Sequence, residues 1–524
     1  MRVPDRGLAC PGVVTEGGVA DRAEIPRGDE EGLKAGAMAG GRWSATSSIG
    51  RQLVTTLATV VLARLLAPAD YGIAVAVTVI LGVFELMSQF GIGQSLVRHR
   101  RLDPATTSTT FWASLIIAGV VSTSVVVFAD PLGGLIGQQG LGPFLRLAAA
   151  GLAVSMAASV PAGLLTRRME WSKLTMIQLA GSVVQFSVAV GLAATTALGA
   201  WVLIIGRVAG SAFQFVGLFW AARWTPTWEF SPAVVRRDLS FNLGFWSTYV
   251  TSYVAKNLDY WVVGRLLGAA VLGVYYIAYV LPVLVRQRIT RVLEGVLYPV
   301  MARVAEDRRR LEAVYVEALG FSTFITLPAV LGLVAVADLV VPLFFGTQWS
   351  GAVAPMRILA VATAFDALLP VGTALFLALG LPGRNAVITT SRVVAMVVVL
   401  AVVAGSGDLT SIAWAVAAGS VVAVVVAFRL VVSRAGVSPR SFGSAVLAPS
   451  VTSAAMLGVV VATRQFTLVG DLGDLPQLVA AVVVGIVAYT VLGMGLFRRR
   501  YRKYFADLAT LVGFDRIRQR TSTR

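Results

Sequence analysis

Two residue types that carry much of enzyme chemistry are almost missing: the 524-residue sequence holds one cysteine, Cys10, and one histidine, His99. Single copies exclude an internal disulfide, a CxxC redox centre, a Cys/His zinc site and any catalysis that needs two histidines. No GxxxxGK[ST] phosphate loop occurs, which removes a pump driven by ATP through such a loop. Charge is scarce too: 14% of residues are charged against 57% hydrophobic, and the mean hydropathy is +0.79. That is too little polar surface to cover a soluble domain of this size, so the chain belongs in a lipid bilayer. The net charge of +17 lies between long apolar runs, which fits loops beside anionic lipid and not a nucleic-acid face. No cofactor, metal site or nucleic-acid partner is expected.

A helix needs about 20 apolar residues to cross the hydrocarbon. Such runs lie near 44–66, 71–97, 108–128, 144–165, 173–195, 199–222, 241–263, 269–298, 313–336, 352–379, 385–404, 410–433, 443–463 and 475–497, fourteen in all. Loops after even-numbered spans carry the arginines (Arg98, Arg100 and Arg101; Arg167 and Arg168; Arg236 and Arg237; Arg308, Arg309 and Arg310), whereas the other loops hold few. Both termini should therefore face the cytoplasm of a multi-pass cell-membrane protein. Residues 1–41, rich in Gly and charge, read as a disordered cytoplasmic tail without a cleavable signal peptide. Residues 498–524, with nine Lys or Arg, read as a basic cytoplasmic tail lying along acidic headgroups.

The sequence also repeats itself. Arg64-Leu65-Leu66 with Gly72 closes the first span, and Arg265-Leu266-Leu267 with Gly273 closes the seventh, 201 residues later. Pro143 and Arg146 open the fourth span as Pro355 and Arg357 open the tenth. Two blocks with an even number of spans are parallel, related by an axis along the membrane normal. The expected architecture is an all-α polytopic membrane protein of about 14 transmembrane helices. Two parallel six-helix lobes (42–222 and 241–433), joined by a cytoplasmic linker (223–240), surround a central cavity, and accessory spans follow at 434–497. Arg64, Gly72, Arg265 and Gly273 mark an external gate.

Several motifs occur at matching places along the chain: Ala63-Arg64-Leu65-Leu66 with Asp70-Tyr71-Gly72, Gly91-Ile92-Gly93-Gln94, Asn257-Leu258-Asp259-Tyr260 with Gly264-Arg265-Leu266-Leu267-Gly268, Gly273 with Tyr275 and Tyr279, and Gly346 with Trp349. With these residues the chain resembles the polysaccharide transporter branch of the multidrug/oligosaccharidyl-lipid/polysaccharide exporter superfamily, which includes Wzx-like flippases and teichuronic and colanic acid exporters. The resemblance spans roughly residues 42–430. It implies export or flipping of a lipid-linked sugar chain, carried on a polyprenyl pyrophosphate, across the cytoplasmic membrane. A peptidoglycan lipid-precursor flippase and a drug/cation antiporter of the same superfamily are the alternatives. A polytopic glycosyltransferase is disfavoured, because Asp130, Asp338 and Asp408 stand singly in short loops.

Charged residues inside spans are costly and should face a wet cavity or a partner. Arg51 lies early in the first span. Lys256 and Asp259 share a helical face in the seventh, either as a structural ion pair helped by Asn257 or as cavity residues among which Lys256 shares in holding an anionic lipid pyrophosphate. In the eighth span the apolar residues follow helical spacing and leave Gln287, Arg288, Arg291 and Glu294 on the opposite face. That face either lies in the interface or lines a cytoplasmic vestibule where Arg288 and Arg291 take phosphate oxygens. Glu85 and Asp366 fall near the midplane without a basic neighbour one turn away, as candidates for a coupling proton or sodium ion. Arg207 and Arg392 receive no role beyond interhelical or snorkelling contacts. Aromatics from Trp246 to Tyr279 recur along the seventh and eighth spans and suit either sugar stacking or an interfacial belt.

Overall fold

The computed structural model describes residues 50–89, 104–403, 405, 407–466 and 473–512. The N-terminal tail, Cys10, His99 and the end of the basic C-terminal tail lie outside them, as do the side chains of Arg288 and Arg291. Regular structure among the described residues is helical: α1 (50–65), α2 (Pro68–Gln89), α3 (Pro104–Val127), α4 (Gly142–Arg167), α5 (Trp171–Thr195) and α6 (Trp201–Ala222). Then follow α7 (232–267), α8 (269–303), α9 (Arg308–Val340), α10 (Thr347–Ala378), α11 (Gly383–Val403), α12 (Leu409–Ala435), α13 (Pro439–Phe466), α14 (Asp474–Leu496) and α15 (Arg498–Val512). Prolines at 68, 104, 232 and 439 begin helices, where a missing N–H costs nothing.

Among the described residues, twelve stretches are long and apolar enough to span a membrane. One of them, Tyr253–Gln287, runs through Gly268 at φ 82° and ψ −179°, a conformation open to glycine and closed to most residues. The chain reverses there. Tyr275 donates a hydrogen bond to Asp259 across 16 residues, and the rings of Tyr260 and Tyr279 lie 5.9 Å apart. In a straight helix 16 residues would separate the first pair by about 24 Å. So α7 and α8 form an antiparallel hairpin, as the sequence pattern divides them. Of the first expected span, 44–66, only α1 is described.

Large apolar side chains face outward, among them Val402 (80% exposed) and Ile486 and Val491 (63% each). In water such surface drives aggregation; in hydrocarbon it is the proper covering.

The loops sort onto two faces. On one, Arg168 donates to the Ala222 carbonyl, Trp112 to Thr227, and the Ser438 N–H to Glu312. This face carries the arginine-rich loops. On the other, Asp70 at the α1–α2 turn accepts from the Ala200 N–H before α6, Arg64 reaches the end of α9, and Arg464 binds Asp338. The accessory helices are clamped to α9 at both ends. Asp338 takes Arg464 at 2.6 Å on the second face, and Tyr489 donates to the Phe324 carbonyl while Lys503 meets Glu317 at 2.6 Å toward the basic face.

Candidate substrate cavity and gate

At Arg64, Gly72, Arg265 and Gly273, expected to mark an external gate, the structure shows a set of paired contacts between the lobes. Gly72 of α2 lies against the Ala269 carbonyl of α8, and Gly273 of α8 lies against the Pro68 carbonyl of α2. Residues 68 and 269, like 72 and 273, are 201 apart, so the two contacts exchange under the internal repeat. A Cβ at either glycine would overlap backbone, which is why the crossing needs glycine on both sides. The arginines obey the same rule. Arg64 of the N-lobe donates to the Leu343 and Phe344 carbonyls just past α9, and Arg265 of the C-lobe donates at 2.8 Å to the Gly134 carbonyl of the short helix Ala129–Leu135. Each donates to carbonyls at a helix C-terminus, where positive charge is favourable. Tyr71 and Trp349 seal the middle edge to face at 5.4 Å, and the Trp349 indole donates to the Ala63 carbonyl.

The second repeat element is structural as well. Arg146 meets Asp130 at 2.5 Å and Arg357 meets Asp338 at 2.8 Å, so in each lobe the arginine opening the fourth helix binds an acid from the segment before it. These two acids, expected to stand alone, are occupied.

Below the gate the charged residues pair differently from the sequence expectation. Lys256 and Asp259 do not pair: Asp259 is 3% exposed and accepts from Tyr275 at 2.8 Å, while Lys256 is exposed and Asn257 donates to the Tyr253 carbonyl. Glu85 and Asp366, read as lacking basic neighbours, have them on other helices. Arg207 of α6 binds Glu85 of α2 at 2.9 Å, and Arg392 of α11 binds Asp366 of α10 at 3.0 Å. Arg207 also donates to Thr78 at 3.3 Å. Arg207 and Arg392 are thus the residues that sequence reasoning left without a role, although each lies inside a span of a lobe that also holds an acid inside another span. Arg51 is exposed and donates to Gln178 at 3.3 Å.

The aromatic groups are largely spent on packing. Tyr260, Tyr275 and Tyr279 form a cluster with centroids 5.3–5.9 Å apart, Tyr276 stacks on Tyr71, and the Tyr253 hydroxyl donates to the Val79 carbonyl. Among the described residues no group of three or more His, Cys, Asp or Glu is placed to hold a metal ion.

Two helical lobes that close on each other through a repeated contact, with charged residues buried beneath it, define a membrane transporter. The same fold appears in a lipid II flippase in an inward closed conformation, at a TM-score of 0.71 and 14% identity over 87% of this chain and 98% of that one. It appears also in an inward-facing multidrug-resistance transporter of the MOP superfamily, at a TM-score of 0.62 and 18% identity over 74% and 94%. Residues 61–354 match the family described as polysaccharide biosynthesis protein, and the chain belongs to that family. It is an integral membrane protein of the flippase and exporter class. The chain is 27% identical to the succinoglycan biosynthesis transport protein ExoT of Rhizobium meliloti, over 89% of this chain and 94% of that one. It is 27% identical to the lipopolysaccharide biosynthesis protein WzxC of Escherichia coli, over 63% and 67%. Against the teichuronic acid biosynthesis protein TuaB of Bacillus subtilis the identity is 21%, over 78% and 85%.

Proposed function

We propose that this chain carries a glycan linked to polyprenyl pyrophosphate across the cytoplasmic membrane, by alternating access between its two lobes. The observation that carries the reading is the reciprocal closure at Gly72, Gly273, Arg64 and Arg265. A pair of lobes that meets through contacts exchanged by a two-fold repeat can separate on that face as two rigid bodies. The basic loops support a cytoplasmic location for the opposite face and for both termini. There Arg288 and Arg291 lie 19 and 22 residues along α8 from its start at Ala269, or roughly 29 and 33 Å at helical rise. That depth is the cytoplasmic headgroup zone, where guanidinium forks meet a lipid pyrophosphate on entry. Arg51, Lys256 and Asn257 are the further polar contacts proposed for the route.

The pairing of Glu85 with Arg207 and of Asp366 with Arg392 uses up negative charge. With those acids matched, the exposed cations Arg51 and Lys256 support an anionic substrate over a drug or inorganic cation. Asp259, buried beside Tyr275 with no ion pair among the described residues, becomes the best-supported carrier of a coupling proton. A glycosyltransferase loses support too, since Asp130 and Asp338 are bound to arginines.

The test is mass spectrometry of lipid extracts from a strain lacking the chain. A polyprenyl-pyrophosphate glycan should accumulate and disappear on complementation. Accumulation of a carrier lipid bearing a muropeptide would instead assign the peptidoglycan-precursor alternative.

A further inference from the structure

Away from the lobe interface, a cavity of about 580 Å³ lies between α8, α9, α13 and α14. Leu284, Val285, Pro328, Val460 and Gly485 line it, and Phe505 of α15 closes it. Its lining comes from the C-lobe and the accessory helices alone, with no residue of the contact between the lobes.

The helix that closes it is a seated element, not a loose tail. Tyr501 is fully buried and Tyr504 is 6% exposed. Gly493 and Gly320 make room for them: a Cβ on Gly493 would overlap the Tyr501 ring, and one on Gly320 the Tyr504 hydroxyl. Arg500 donates to the Ser444 carbonyl, and Lys503 pairs with Glu317. Arg498, Arg499 and Arg502 remain exposed, without an ion pair among the described residues.

Their placement around the helix is uneven. At 100° per residue, Arg498, Arg502 and Phe505 fall on one face, with Arg499 well to the side. Arg498 and Arg502, four residues apart, present two guanidiniums with Cβ atoms about 5–6 Å apart. Helix α15 begins two residues after α14 ends, at Leu496, which holds this pair at headgroup depth on the basic face.

We infer that α15 and the cavity together form a site for one anionic phospholipid of the basic-face leaflet. Its phosphate sits on Arg498 and Arg502, and an acyl chain runs past Phe505 into the cavity. Charge complementarity selects the headgroup, and the apolar walls select the chain. A seated amphipathic helix of this kind makes the stability of the C-lobe depend on the acidity of the surrounding leaflet.

The experiment uses the full chain purified in mild detergent, with the thermal midpoint followed as phosphatidylglycerol, phosphatidylcholine or a polyprenyl phosphate is added. Phosphatidylglycerol should raise the midpoint at the lowest concentration. In R498Q/R502Q the concentration needed should rise on the order of thirtyfold, the loss of two basic contacts with an anionic surface. R499Q should behave as the parent. G485L, which fills the cavity, should also blunt the response. An unchanged response in R498Q/R502Q would overturn the site, and an equal loss in R499Q would reduce it to diffuse charge attraction. A polyprenyl phosphate acting at lower concentration than phosphatidylglycerol would give the cavity to the carrier lipid and overturn the assignment as well.

Discussion

Placing a methyl group at Gly72 and at Gly273 tests the gate most directly, because each Cβ would overlap a backbone carbonyl of the opposite lobe. Backbone cannot rotate aside as a side chain can, so α2 and α8 must separate by on the order of 1–2 Å to regain ordinary contact. Overpacking of this kind costs about 1–3 kcal/mol. The two sites share one crossing, so their effects will not simply add. A net bias of about 2 kcal/mol against the closed arrangement changes its ratio to the open one roughly thirtyfold, enough to turn 99:1 into about 3:1. The reporter is a cysteine at Leu66, which is 5% exposed in the closed gate, in a chain whose sole cysteine, Cys10, is replaced by serine. An impermeant maleimide added to intact cells should label it severalfold faster in G72A/G273A, while glycan export falls. A cysteine at Val202, fully buried at the start of α6 on the same face, should stay unlabelled and so exclude general unfolding. If Leu66→Cys labels at the parental rate at equal protein level, the crossing is ordinary helix packing and the gate lies elsewhere.

Three further outcomes are expected. Tyr275→Phe leaves the buried Asp259 carboxyl without its hydroxyl donor and should cost about 1–3 kcal/mol, visible as a lower thermal midpoint; Tyr275→Phe with Asp259→Leu should recover part of that loss, and no recovery would remove the hydrogen bond as the cause. Asp338→Ala releases both Arg357 and Arg464, which bind it at 2.8 and 2.6 Å. With Asp338 39% exposed, screening limits each pair to about 0–1 kcal/mol, so proteolysis between α13 and α14 is the more sensitive readout and should quicken. At limiting substrate, Lys at 288 or 291 should reduce export and Gln should reduce it further, by about ten- to a hundredfold from charge-assisted contacts of roughly 1.5–3 kcal/mol; full activity of R288Q/R291Q would make that face merely solvated.

What the sequence could reveal depended on whether the cause was local. Apolar runs gave the spans because hydrocarbon thickness acts on each helix separately, and the 201-residue echo exposed the repeat because the α2–α8 crossing requires the same small residues twice. The hairpin at Gly268 was legible for the same reason, as two apolar runs around one glycine. The ion pairs were not. Glu85 and Arg207 are 122 residues apart, and a search one helical turn either side cannot find a partner on another helix. Lys256 and Asp259 share a helical face, yet Asp259 turns to Tyr275 because the hairpin offers a buried donor that sequence spacing does not show. In Arg207 and Arg392 the signal was available but of another kind: each is a base inside an apolar span, in a lobe that also holds an acid inside another span.

The reciprocity of the gate has a consequence for how the molecule is put together. Position 72 meets 269 while 273 meets 68, and such exchange is the signature of an isologous two-fold interface between identical subunits. The covalent connection between lobes, through 223–231, is then a tether and not the source of their recognition. Two separate polypeptides ending at residue 231 and beginning at residue 232 carry between them every contact that closes the gate.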